Sequence, residues 1–472
     1  MNLLYDFLKN LEPAEKEKLK ALKIRGKELN VWLTVNQQSV KGNFDKQKIL
    51  DKLGISSAYL DKITSELLSK CYQHLFGNDR LKLLRFLVTR DAYLKHYYTE
   101  LARAIKHLKD ELDITQQRAF YRTNLEYIHV FVPIAYREDK VLKTLLSGYQ
   151  ALFKGAEKKE ADFFVECKRM VFKLGKLFAA GHIRELKSKI EKELNALGGL
   201  PPNADEELSY DYYWTKIYFY HSIEEFEACY ELTTEALAAL QKFKSPLNSI
   251  NMLRIQLKQA EQLYFLSRFD ESFSNFKRVV NQPLLDKIPD RGYYLTKYVQ
   301  ICLITGHIAE AGKILEKKLQ QYGNPEPENL APREIFSFIK YFLFKGQYDK
   351  AFKFIRQGFA KNPKGKYFQY EVELRHLETA YFFLSGQFET ALLGCEKHLK
   401  FLRAHGFGLQ QSSYPYYYVL IKAIYEKNRG IRDFTGKEDE MLKRYLTGSY
   451  AIYGKLLERM LALPTIRAKK AG

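Results

Sequence analysis

Thirteen prolines and 26 glycines are few for 472 residues, which excludes a collagen-like chain and argues against an all-β one. Cysteine is scarcer still. The five thiols, Cys71, Cys167, Cys229, Cys302 and Cys395, are odd in number, widely scattered and without a CxxC pair. That pattern predicts buried thiols in a reducing, cytoplasmic setting, not a disulfide framework or a zinc site. No stretch approaches the roughly 18 uninterrupted apolar residues of a spanning helix, so membrane insertion is not expected. The opening MNLLYDFLKNLEP carries Asp6 within its short apolar run and no small-residue cleavage site follows, so a secretory signal is not expected either.

Catalytic signatures are also missing. There is no GxSxG, no HExxH and no clustered Cys/His set. The stretch from Gly430 to Gly436 and Lys437 misses the spacing of a phosphate-cradling loop by one residue, lacks the following Ser or Thr, and follows no strand. Two Glu-x-x-His pairs, Glu126/His129 and Glu373/His376, have the spacing that di-iron bundles use, but they lie 247 residues apart. The sequence therefore predicts no enzyme, no cofactor and no metal.

What is there is aromatic and basic. Aromatic residues make up 14% of the chain, with 34 Tyr and 32 Phe, and the net charge is +20. The charge is uneven, near +12 over residues 1–200, −6 over 201–250 and +14 over 251–472. Such an excess favours acidic partners, whether peptide or nucleic acid. The basic stretch from Glu15 to Lys27 and the tail cations Arg467, Lys469 and Lys470 read as solvated faces and ends.

Apolar residues recur with a helical period almost throughout. Ile335, Phe338, Ile339 and Phe342 fall at i, i+3, i+4 and i+7, on one face of a helix. No segment reads as a strand. The helical stretches come in pairs, and the pairs repeat. GHIAEA at 306–311, GQYDKA at 346–351 and GQFETA at 386–391 share Gly, an apolar third residue and Ala. GHIREL at 181–186, EEFEAC at 224–229 and SRFDES at 267–272 are weaker versions, and the six anchors are 43, 43, 39, 40 and 40 residues apart. A glycine that ends one helix with positive φ, an apolar residue that starts the next, and a small residue where the two cross together specify a helix hairpin. Stacking such hairpins covers the apolar face each one leaves open.

Residues 165–405 resemble the tetratricopeptide-repeat family. Leu295, Tyr298, Val299 and Cys302, like Ile335, Phe338, Ile339 and Phe342, stand where that family's first helix is apolar. Ala351, Ile355, Gly358 and Pro363 match its second helix. The period of 39–43 exceeds the family's 34, and Glu378 stands where an apolar residue is expected. The resemblance implies an all-α fold, a right-handed α-solenoid of stacked hairpins with a period of about 40 over residues 151–405. An N-terminal helical region of residues 1–150 would precede it, and a helical cap with a short basic tail, 406–472, would follow.

The resemblance also implies a non-enzymatic scaffold that binds a protein or peptide along the groove of first helices. Its groove positions fall on Tyr293, Thr296 and Gln300, on Arg333, Phe336 and Lys340, and on Asp211, Trp214 and Tyr218. Aromatics interleaved with cations suit an acidic peptide with apolar anchors. The family's clamp for a C-terminal carboxylate is not matched across consecutive units. An alternative is a nucleic-acid-binding regulator with a helix-turn-helix at residues 46–65 turning at Gly54, in which Ser56, Ser57 and Lys62 would read DNA. Asp61 in the reading helix and Leu50 at the helix crossing weigh against it. The tyrosine clusters, Tyr97–Tyr98, Tyr212–Trp214 and Tyr416–Tyr418, could stack bases, but helix packing in repeats uses aromatics at the same places.

Overall fold

The computed structural model describes residues 3–9, 11, 13–41, 44–77, 79–88, 94–131, 137–155, 157–179, 182, 184–288, 291–321, 332–362, 368–406 and 414–464. Among them there is helix and no strand. The chain forms two compact units, Met1–Ala204 and Asp205–Gly472.

The first unit contains α1 (Leu3–Lys9), α2 (Pro13–Leu19), α3 (Gly26–Lys41), α4 (Lys46–Leu53), α5 (Ser57–Phe76), α6 (Arg80–Val88), α7 (Leu94–Glu111), α8 (Ile114–Phe131), α9 (Asp139–Gln150), α10 (Glu157–Ala179) and α11 (Lys187–Ala196). Its central element is α5, which packs on α1, α2 and α3 and buries Leu60, Ile63, Leu67, Leu68, Cys71 and Tyr72. Ser56 starts α5 by accepting a hydrogen bond from the Tyr59 backbone N–H, a typical N-cap.

The second unit contains α12 (Glu206–Ser222), α13 (Phe226–Leu240), α14 (Pro246–Phe265), α15 (Phe269–Val280), α16 (Arg291–Ile304), α17 (Ile308–Gln321), α18 (Pro332–Lys345), α19 (Tyr348–Lys361), α20 (Phe368–Leu384), α21 (Phe388–Ala404), α22 (Tyr414–Asn428), α23 (Gly436–Tyr445) and α24 (Ala451–Leu461). The repeat motif has a direct physical counterpart here. Glu224, Ser267, Gly306, Gly346 and Gly386 all adopt positive φ, between 63° and 82°. The two non-glycine anchors therefore hold the same left-handed turn as the three glycines. The anchor at Gly181 lies outside the described residues. At four of these turns the next residue donates its N–H to a carbonyl five positions back, as Gln347 does to Phe342 at 2.9 Å and Arg268 to Leu263 at 2.8 Å.

The second helix begins two residues after each anchor, at Phe226, Phe269, Ile308, Tyr348 and Phe388. The small residue three further on, Cys229, Ser272, Ala311, Ala351 or Ala391, is fully buried. Its size lets the second helix approach the first, and the Ser272 hydroxyl donates to the Ala260 carbonyl across that gap at 2.6 Å. The residues assigned to the first helix of the repeat are buried as well, Tyr298, Val299, Cys302, Ile335, Phe338, Ile339 and Phe342 among them, whereas Leu295 is half-buried.

Packing sorts the helices into two layers. The first helices α12, α14, α16, α18 and α20 each contact the next in order. Each second helix contacts the first helix before it and the first helix after it, whereas consecutive second helices hardly meet. The first helices are thus the closely spaced layer.

The C-terminal helix α24 does not continue the stack. It lies against α16, α20, α22 and α23, and the 3-10 turn that leads into it, Gly448–Tyr450, lies against α14. Of these, α14, α16 and α20 are first helices of the repeat.

Candidate functional site

The face formed by the first helices is the candidate site, because the sequence assigns its ligand-facing residues there. The structure brings four of the nine, Trp214, Tyr293, Phe336 and Lys340, into contact with neighbouring helices of the same layer. Trp214 on α12 is 8% exposed, stacks on Tyr210 at 5.6 Å and lies under the Arg254 guanidinium of α14 at 5.2 Å. Tyr293 on α16 donates its hydroxyl to Glu261 of α14. Phe336 on α18 lies against Tyr370 of α20 at 4.8 Å. Lys340 on α18 ion-pairs with Glu373 of α20 at 2.6 Å.

Lys340 was expected as a cation for a ligand's acidic groups. The structure instead buries it, at 3% exposure, with its charge answered by Glu373 and its ammonium 5.2 Å from the Tyr453 ring centre on α24. Asp211 is likewise buried. Thr296 and Gln300 on α16 and Tyr218 on α12 are half-buried, and the Thr296 hydroxyl donates to the Gly292 carbonyl of its own helix at 2.9 Å. The side chain of Arg333 lies outside the described residues.

The most ionisable part of this face was missed in the sequence. Asn251, Arg254, Lys258 and Glu261 form one stripe along α14, spaced three to four residues apart, Gln262 adjoins it, and all five are buried. Lys258 pairs with Glu261 at 2.7 Å, and His221 on α12 meets Gln262 at 3.3 Å. The Lys297 ammonium on α16 lies 4.9 Å from the ring centres of Tyr264 and Phe265. Burial alone would push the Glu261 carboxyl up, but Lys258, His221 and Lys297 bring it down to about 2. Burial lowers His221 to about 4, and Lys258 adds to that. The i, i+3, i+7, i+10 recurrence of polar residues was present in the sequence, but without a regular first-helix register around Ser267 it had no assigned face.

A second such cluster lies under α24. His376 on α20 is ringed by Tyr417 and Tyr418 of α22 and Tyr453 of α24, with ring centres 4.6, 5.0 and 5.2 Å away. Burial lowers its imidazole to about 4. Burial also opposes ionisation of Glu373, yet Lys340 holds that carboxyl below its ordinary value.

α24 is held on this face at both ends. At its start, Gly448 donates its N–H to the Ser267 hydroxyl at 2.9 Å, and the Tyr264 hydroxyl donates to the Ser449 carbonyl at 3.3 Å. At its end, the Asn428 side chain donates to the Met460 carbonyl at 2.9 Å. Ile452, Tyr453, Leu456, Leu457 and Met460 are all buried, and no residue of α24 is exposed. Gly454 is required by close packing, since a Cβ there would stand 2.4 Å from the Tyr445 carbonyl oxygen.

The residues of the alternative reading lie in the first unit. α4 and α5 flank Gly54 at φ 61°, where a helix-turn-helix would turn, but α4 packs on α3. The Ser56 hydroxyl caps α5, Ser57 and Lys62 are exposed, and Asp61 pairs with Lys46 at 2.9 Å. A cavity of about 610 Å³ between α5, α6 and α7 has its charges matched internally, Arg80 with Glu111 at 2.8 Å and Arg103 with Glu100 at 2.5 Å.

All five cysteines are buried, and burial pushes the thiols of Cys71, Cys229, Cys302 and Cys395 up to about 12. Among the described residues, no three His, Cys, Asp or Glu side chains converge as a metal site requires, and no helix is long and apolar enough to cross a membrane. No family model and no curated protein matches the chain by sequence.

Proposed function

We propose that the second unit is a right-handed, tetratricopeptide-like α-solenoid and a non-enzymatic, cytoplasmic scaffold that takes a helical segment of a protein partner on its layer of first helices. One observation carries this: an α-helix of the same chain, α24, already lies on that layer, against α16 and α20. A face that accommodates an apolar helix with one tyrosine over an ion pair has the shape and chemistry for helix-in-groove recognition. Thr296 and Gln300, half-buried on α16, are the assigned positions least engaged by neighbouring helices.

The test is site-specific photo-crosslinking from Gln300, with nuclease-treated host extract. Crosslinks to a protein from Gln300 are expected, and none from the exposed Lys353 on the second helix α19. Protein crosslinks from Lys353 without any from Gln300 would place the partner on the other layer. Loss of every captured species on nuclease treatment would favour a nucleic-acid partner instead.

A further inference from the structure

α24 covers a surface with an unusual composition for the core of a fold. Beneath and beside it lie Lys340, Glu373 and His376, all on first helices. Further along the same layer are Lys258, Glu261 and Lys297, next to the turn that leads into α24. Burying ion pairs contributes little net stability, because the desolvation cost offsets most of the attraction, and apolar residues of similar volume usually do as well or better. A face that only had to hold α24 permanently would gain nothing from these charges. They are well suited to a surface that is hydrated in one state and covered in another.

The attachment of α24 fits that alternation. Its grip at the start consists of single hydrogen bonds, Gly448 to Ser267 and Tyr264 to Ser449. Ser267 is one of the two anchors that keep a side chain in a left-handed turn where the repeat otherwise uses glycine. Its hydroxyl makes the bond to Gly448, so the departure from glycine at this one repeat coincides with the place where α24 is fastened. Gly448, at φ 54°, takes the left-handed turn between α23 and α24, which glycine adopts without a Cβ clash.

We propose that α24 is an intramolecular occupant of the partner site, and that residues 448–464 must swing out of the first-helix layer before a partner helix can bind. This rests on the scaffold function proposed above. α24 then acts as a competitor at high effective concentration, so a partner binds the intact chain more weakly than it binds a chain whose layer is open. The ligand's chemistry follows from the occupant: an amphipathic helix with an aromatic residue to meet Lys340 and Glu373, and aliphatic residues three and four positions on, as in Tyr453, Leu456 and Leu457.

Two measurements test this. In the first, native-state hydrogen exchange on the full chain follows the amides of 451–461. They are expected to exchange at least about tenfold faster than those of α16 and α20, through a local opening, and faster again in Ser267→Gly. Exchange of α24 only together with α16 and α20, unchanged in Ser267→Gly, would overturn the proposal. In the second, a fluorescein-labelled synthetic peptide of residues 447–464 is titrated into the full chain and into a chain ending at Thr447. Saturable binding to the shortened chain and at least about tenfold weaker binding to the full chain is expected. A folded shortened chain that does not bind the peptide would overturn the proposal, and if that chain fails to fold, the exchange experiment decides alone. A partner that crosslinks to Gln300 of the full chain while α24 stays fully protected would leave the scaffold function standing and remove the gate.

Discussion

A single side chain in this fold often has a role that its sequence context does not reveal, and Lys340 is the clearest case. Its position in the repeat assigns it to the ligand-facing side, yet it is enclosed with Glu373 beside it. Removing one partner strands the other, so Lys340→Met is expected to destabilise the second unit by roughly 2–4 kcal/mol, below the fully buried range because the Glu373 side chain keeps 26% exposure. The double change Lys340→Met with Glu373→Leu should recover most of that loss. Chemical denaturation of the two single variants and the double variant measures it, and equal, additive losses would show that the pair is not coupled. Backbone positions offer a second contrast. At Gly346, with φ 72° and no atom near a prospective Cβ, Gly346→Ala should cost only the conformational penalty, about 1 kcal/mol. Gly454→Ala adds a clash with the Tyr445 carbonyl, and we expect it to cost about 1–3 kcal/mol more, as overpacking does. The two melting curves give the comparison, and a milder effect at Gly454 would mean that α23 and α24 can separate.

At the scale of the helix, the hairpins were legible because everything that defines them is local. An anchor, an apolar residue two positions on and a small residue three further place the start of α13, α15, α17, α19 and α21 from short stretches of chain. Glu224 and Ser267 are readable as anchors through the apolar residue two positions on and the spacing, since neither residue type signals positive φ. What was not legible is where a helix goes after the repeats end. The pattern of α24, apolar at Ile452, Leu456, Leu457 and Met460, is that of any helix with a buried side, and residues 406–472 read as a terminal cap. Only the tertiary contacts put α24 on the first-helix layer. The same limit explains the groove assignments. Repeat position identifies the helix face on which Tyr293, Phe336 and Trp214 lie, but not that each would contact the adjacent helix of its layer. The turn at residues 46–65 shows the limit from the other side. The glycine turn and the flanking helices are present, while the Ser56 side chain is engaged in capping α5.

For the molecule as a whole, the buried histidines set how stability depends on pH. Burial lowers His221 and His376 to about 4, and lowers His398 to about 3, with Arg375 contributing there. All three are in the second unit, and in the first unit burial lowers His129 to about 4. In the unfolded chain each imidazole titrates at its ordinary value near 6.5. Between that value and the folded one the unfolded state holds protons that the native state does not, so unfolding takes up protons and acid favours it. The stability these groups contribute is complete above about pH 6.5 and is lost as the pH falls toward 4. The Glu261 carboxyl, at about 2, acts in the same direction in a lower window, below about pH 4.5. Unfolding of the second unit near pH 5 should therefore absorb close to one proton for each of these three buried histidines, and His129 should add about one to the uptake of the first unit. Calorimetry in buffers of different ionisation enthalpy reads the uptake directly. His376→Gln should lower the second unit's uptake by about one proton at pH 5 and leave the value at pH 8 unchanged. If α24 opens as proposed, the same acid window should loosen it first, because protonating His376 places a cation beside Lys340 and among the rings of Tyr417, Tyr418 and Tyr453, offset in part by Glu373 and the Tyr414 carbonyl. Faster exchange of the α24 amides at pH 5 than at pH 7, after correction for the intrinsic rate and with α15 and α17, which carry no histidine, unaffected, is the expected outcome. Uniform loosening of the whole unit would instead assign the acid sensitivity to global unfolding.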